Sequence, residues 1–111
     1  MNVVRTIMQV KVYNLNDEFC EKERRKGNCY RFASLEELEM YGLKVEKKHY
    51  DLIWEGEVKD DCTLNKFYEA LQWNKPAGWR GCSLSVSDVV IFKGVAYYCD
   101  SIGWSEVEWN D

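Results

Sequence analysis

One histidine and one proline stand in a chain of 111 residues, and with histidine so scarce the chemistries that need several go too. Structural zinc takes cysteine and histidine ligands in closely spaced pairs. His49 has no cysteine within ten residues, and the five cysteines, Cys20, Cys29, Cys62, Cys82 and Cys99, contain no C-x-x-C spacing. Their odd number and scatter also speak against a disulfide framework, so they read as free thiols that pack as small apolar groups.

Long apolar runs are missing as well. The longest, residues 89–92 and 95–99, are strand-length and far below the ~20 residues of a membrane helix. The first residues lack a basic stretch followed by an apolar one, so a cytoplasmic protein without membrane contact is expected. Neither the P-loop nor the Rossmann glycine spacing occurs, Gly78-Trp79-Arg80-Gly81 included. A cysteine nucleophile would have only His49 as its base, and that ring, between Lys48 and Tyr50 at a strand start, is expected to be solvated. No catalytic residue, cofactor or metal is therefore expected, and the chain reads as a non-enzyme.

Charge is unevenly placed. The net charge is -4, whereas direct nucleic-acid binders usually present a basic face. Residues 1–31 carry seven basic side chains against four acidic ones, among them Arg24, Arg25, Lys26 and Arg31. Beyond Gly94 there are four carboxylates, Asp100, Glu106, Glu108 and Asp111, and no lysine or arginine.

What is present suits one globular domain: 46% of residues are hydrophobic, enough to offset the entropy of ordering. Residues 8–13 alternate apolar and polar side chains, and residues 50–58 alternate about Ile53, giving two strands. Residues 14–28, of mixed charge, read as a solvated loop or short exposed helix. Ser34 and Glu37 form a capping box ahead of Leu35, Leu38 and Tyr41, with Gly42 to end the helix. Leu64, Phe67, Tyr68 and Leu71 follow Thr63 at helical spacing. Asn74-Lys75-Pro76-Ala77-Gly78 is a turn, with Trp79 plugging the core beside it. Residues 87–109 read as a three-strand meander turning at Lys93-Gly94 and at 101–103. In it Val89-Val90-Ile91-Phe92, apolar on both faces, is central, and Trp104 to Trp109 is an edge. The expected fold is α+β: a mainly antiparallel sheet with two short helices, 34–41 and 64–72, packed on one face.

In Ser83-Leu84-Ser85-Val86-Ser87-Asp88 three hydroxyls share a face, but no G-x-S-x-G elbow surrounds them. The expectation is structural, with Leu84 and Val86 inward, the serines outward or bonded to backbone, and Asp88 closing a turn. This stretch, extended to Gly81 and Val90 and followed by Tyr97-Tyr98-Cys99-Asp100-Ser101-Ile102-Gly103-Trp104, resembles the YodL-like domain. The likeness continues upstream through Tyr30-Arg31-Phe32, residues 50–57, Thr63-Leu64 with Phe67-Tyr68, and Pro76 with Trp79. It departs at Cys82, where such domains commonly carry a histidine or another polar residue, and in the basic segment between Cys20 and Cys29. The resemblance implies a setting in plasmids, phages and conjugative elements of Firmicutes, and supplies no catalytic residue or cofactor.

From that setting and the acidic charge, the leading expectation is an anti-defence inhibitor, most concretely an anti-CRISPR protein. Its partner would be Cas9, with or without guide RNA, whose nucleic-acid channel is positively charged. Asp100, Glu106, Glu108 and Asp111 would face that channel, with Trp104 and Trp109 at the partner-binding end, whereas in an adaptor alternative Trp73, Trp104 and Trp109 would form an aromatic hot spot. The alternatives are an adaptor for an element-encoded protein such as a relaxase, RNA binding through Arg24, Arg25, Lys26 and Arg31, and, last, nucleic-acid hydrolysis. The cysteine pattern makes a direct prediction: intact-mass measurement will show five reduced thiols, and elemental analysis will show no stoichiometric zinc.

Overall fold

The computed structural model describes residues 7–81 and 84–110. In chain order they form β1 (Ile7–Leu15), α1 (Asp17–Arg25), α2 (Leu35–Met40), β2 (Tyr50–Lys59), α3 (Leu64–Trp73), β3 (Val89–Phe92), β4 (Val95–Cys99) and β5 (Trp104–Val107). The five strands make one antiparallel sheet in the order β2-β1-β3-β4-β5. The fold is α+β, and β3, β4 and β5 form the expected meander. β3 takes the central position and β5 an edge. Lys93 and Gly94 turn with φ of 54° and 77°, the double positive φ that a two-residue hairpin of matching twist requires.

The expectation that both helices cover one face is wrong. Phe67 and Leu71 of α3 pack with Val10, Val12, Trp54, Val90 and Phe92, while Leu38 of α2 packs with Tyr13, Leu15, Val89, Ala96 and Tyr98. Neighbours in β3 thus point into different cores, and a central strand without a polar side needs cover above and below. Phe19 and Cys20 of α1 join α2 on the second face.

One irregularity serves both cores. Val12 pairs with Trp54 but Tyr13 pairs with Leu52, so Ile53 is the extra residue of a bulge. Ile53 and Trp54 therefore enter the first core together, while Leu52 and Tyr50 are turned to the second.

The third helix lies in the 14–28 segment, and its caps account for it. The Asn16 side chain accepts from the Phe19 amide at 2.9 Å, Asp17 and Glu18 occupy the first turn, and Arg24 and Arg25 the last. Asn28 N–H donates to Glu23 at 2.9 Å across Gly27, which has φ of 87°. The capping box of α2 forms as expected, and Gly42 at φ of 70° ends that helix. His49 is not solvated: its ring stacks on Phe19 with centroids 3.8 Å apart, and burial lowers its pKa. Among the described residues no helix is long and apolar enough to cross a membrane.

Gly56 lies against the Trp54 indole, which is held by its N–H donating to the Ala77 carbonyl at 3.1 Å and by Phe67 and Trp79. A β-carbon at Gly56 would run into that ring. Gly56→Ala should cost about 1–3 kcal/mol. Urea unfolding should show the loss, and near-ultraviolet circular dichroism should show the displaced tryptophan.

Candidate functional site

β5 has a neighbour, β4, on one side only. Exposure alternates along it and just beyond, with Glu106 and Glu108 exposed and Val107 and Trp109 half-buried, but Glu108, past the end of β5, borders the same groove as Val107. The two tryptophans of this end, however, serve opposite faces. Trp104 packs edge-on to Tyr68 of α3 on the first face, with centroids 6.2 Å apart. Trp109 inserts on the second face between Tyr13 and Tyr50, at 5.0 and 5.3 Å. Trp73, at the end of α3, is 91% exposed.

Asp100 is a tie within the fold. Its carboxylate accepts from the amides of Leu35 and Ser101 at 3.2 and 2.8 Å and from the Ser105 hydroxyl at 3.1 Å, fastening the β4–β5 turn to the start of α2. Asp111 lies outside the described residues. Beside β5, a groove of about 470 Å³ runs between α2, residues 42–45 and Val107. Leu35, Leu38, Leu43, Val45 and Val107 line it, with Glu39, Lys44 and Glu108 as its charged groups.

The basic segment is partly offset where it stands, four cations sharing three carboxylates. Arg24 and Arg25 reach Glu21 at 2.8 and 3.7 Å, Lys26 reaches Glu23 at 3.5 Å, and Arg31 reaches Asp17 at 2.6 Å. By contrast, among the described residues no cation pairs with Asp100, Glu106 or Glu108. Glu106 is exposed on the first face, while Glu108 borders a second cavity together with Lys44, Lys47 and Lys48.

The serine motif turns inward. Leu84 is buried in the first core, Val86 is half-buried, and Ser87 is buried with φ of 87°. Phe32, 64% exposed with φ of 64°, borders the same small cavity of about 70 Å³ together with Asn14, Arg31, Ser85 and Asp88. Positive φ at a serine or phenylalanine costs about 1–3 kcal/mol and persists only where its surroundings fix it. Two tyrosine hydroxyls do so: Tyr50 donates to the Ser87 carbonyl at 2.7 Å, and Tyr98 to Ala33, next to Phe32, at 2.6 Å. Burial pushes both phenols well above their ordinary pKa, so they remain neutral donors. Asp88 closes the turn as expected, accepting from the Ser85 amide at 2.8 Å. Cys82 and Ser83 lie outside the described residues.

A model of the YodL-like domain family matches residues 9–109, from the first paired strand to the tryptophan that anchors the tail. The chain belongs to the YodL-like domain family. No curated protein and no solved structure matches it. The resemblance carried by the serine motif and the Tyr-Tyr-x-Asp-Ser run is thus confirmed at family level. In this YodL-like domain those motifs build a buried clamp: Asp88, Tyr98 and Asp100 bind backbone groups of residues 85, 33 and 35. The groove beside β5 was not foreseen, because its lining comes from three separate segments and only Leu35 and Leu38 share a visible spacing.

Asp88 is 5% exposed, and burial raises its carboxyl from 3.8 to about 7, against the Ser85 amide, the Asn14 side chain and the charge of Arg31. The raised folded-state value means that the folded YodL-like domain holds this proton more tightly than the unfolded chain. The resulting stability is full below the unfolded pKa and lost as pH rises through about 7. From pH 5 to pH 8.5 it should fall by about 2–3 kcal/mol. Asp88→Asn, which keeps the acceptor for Ser85, should remove that component in urea unfolding compared with wild type at the two pH values.

Proposed function

We propose that this YodL-like domain is a non-catalytic module that inhibits a nucleic-acid enzyme by covering its basic groove. In its most concrete form it is a cytoplasmic anti-CRISPR inhibitor of Cas9, carried by a plasmid, phage or conjugative element of Firmicutes. The supporting observation is the placement of charge: Arg24, Arg25, Lys26 and Arg31 all reach carboxylates, three between the four of them, while Glu106 and Glu108 are exposed and, among the described residues, in no ion pair. Such a surface complements a positively charged channel and repels free nucleic acid. The same pairing weighs against RNA binding through the 22–31 segment, since phosphate would have to displace Glu21, Glu23 and Asp17.

A second reading is an adaptor that binds an element-encoded protein such as a relaxase. Its support is Trp73, whose 91% exposure leaves a large aromatic surface free for a partner pocket.

The double variant Glu106→Lys, Glu108→Lys distinguishes the two. Exposed charges add little to stability, so circular dichroism and thermal unfolding should stay close to wild type. In a Cas9 cleavage assay its half-inhibitory concentration should rise more than about tenfold, with a weaker dependence on salt. Undiminished inhibition at both low and high salt would remove the acidic strand from the mechanism. Trp73→Ala should leave Cas9 inhibition unchanged if the first reading holds.

A further inference from the structure

We propose that the outer edge of β5 takes up an extended segment of the partner protein as a sixth strand, a segment whose side chains alternate between apolar and basic. This rests on the reading of the chain as a module for a basic partner, and specifies how that partner is held.

The backbone arrangement comes from the turn before β5. The Asp100 amide donates to the Gly103 carbonyl at 3.0 Å, and Cys99 then pairs with Trp104, Tyr98 with Ser105, Tyr97 with Glu106 and Ala96 with Val107. Hydrogen-bonded and non-bonded pairs alternate in an antiparallel ladder. Ser105 and Val107 therefore direct their backbone groups into β4, and Trp104 and Glu106 direct theirs outward. Among the described residues nothing pairs with that outer edge. The opposite end of the sheet is occupied in part: the Arg80 amide donates to the Ile53 carbonyl at 3.1 Å, and its guanidinium to Leu52 at 3.3 Å.

Side chains of an added strand would fall alternately on the two faces. On the second face they meet the groove, floored by Leu43, Val45 and Val107. On the first face they meet Glu106 beside Trp104. On the groove side Lys44 stands among Glu39 and Glu108 around the apolar floor, whereas Glu106 on the first face is in no ion pair among the described residues. The segment's basic positions thus belong on the Glu106 face and its apolar positions over Val107.

The probe is a short synthetic peptide alternating valine and lysine, compared with one of the same composition in which the valines are clustered. The alternating peptide should bind the full chain more than about tenfold tighter in fluorescence anisotropy. In amide hydrogen exchange it should protect Trp104 and Glu106, while Ser105 and Val107, already bonded to β4, change little. Glu106→Pro, tolerated at an outward-facing position of an edge strand, should abolish that protection. Equal binding of the two peptides, or no added protection at Trp104 and Glu106 of the wild-type protein, overturns the proposal. These readouts separate it from the reading it rests on. Loss of Cas9 inhibition in the lysine double variant without protection of those amides sinks strand addition alone, and intact inhibition in that variant sinks the acidic-surface reading itself.

Discussion

Everything in this domain answers to β3, a strand with no polar side. Val89, Val90 and Phe92 are buried, and adjacent residues point to opposite faces of the sheet, so a single apolar layer could never satisfy it. The chain supplies two layers. α3 covers one face and α1 with α2 the other, and β1 and β4 follow suit by sending Val10, Val12 and Tyr97 one way and Tyr13, Leu15, Ala96 and Tyr98 the other. In β2 strict alternation would send Ile53 and Trp54 to opposite faces and put Leu52 on the same face as Trp54. The bulge lets the strand change faces, with Ile53 and Trp54 in one core and Leu52 in the other.

The secondary structure was largely legible because each element carries a local cause: period-2 alternation in β1 and β5, the capping box of α2, the i, i+3, i+4, i+7 pattern of α3, the Lys93-Gly94 turn. α1 was readable too, from Asn16 and Gly27 at its ends and the ordering of its charges, but an apolar-periodicity test is blind to a helix that buries only Phe19 and Cys20 in part. The one-sided packing was a failure to use what the sequence already showed, since two apolar faces in a central strand require two covers. His49 could not have been placed, because its partner Phe19 is thirty residues away in the chain and nothing local draws them together.

The serine motif illustrates how polar residues can organise a small core. Ser87 and Phe32 hold left-handed backbone that neither residue favours, and a tyrosine hydroxyl at or beside each one fixes the carbonyl in place. With the Ser87 amide donating to the Cys99 carbonyl, the Cys99 amide to the Asp88 carbonyl, and Asp100 under Leu35, residues 87–88 and the start of α2 are tied to β4 and its turn by polar contacts. That rigidity presents β5 in a fixed pose. The acidic strand is held from behind by Ala96 and Tyr98, and from its turn by Asp100.

The unequal ends of the sheet have a consequence for stoichiometry. A sheet open at both ends can stack copy upon copy without limit, whereas here β2 has Arg80 on its Leu52–Ile53 stretch and Glu55, Glu57 and Lys59 along the remainder. Head-to-tail repetition would need β5 of one molecule to meet β2 of the next, where Arg80 already occupies two carbonyls. The two ends of the sheet are therefore not equivalent, and a strand seated on β5 would find no matching site at β2.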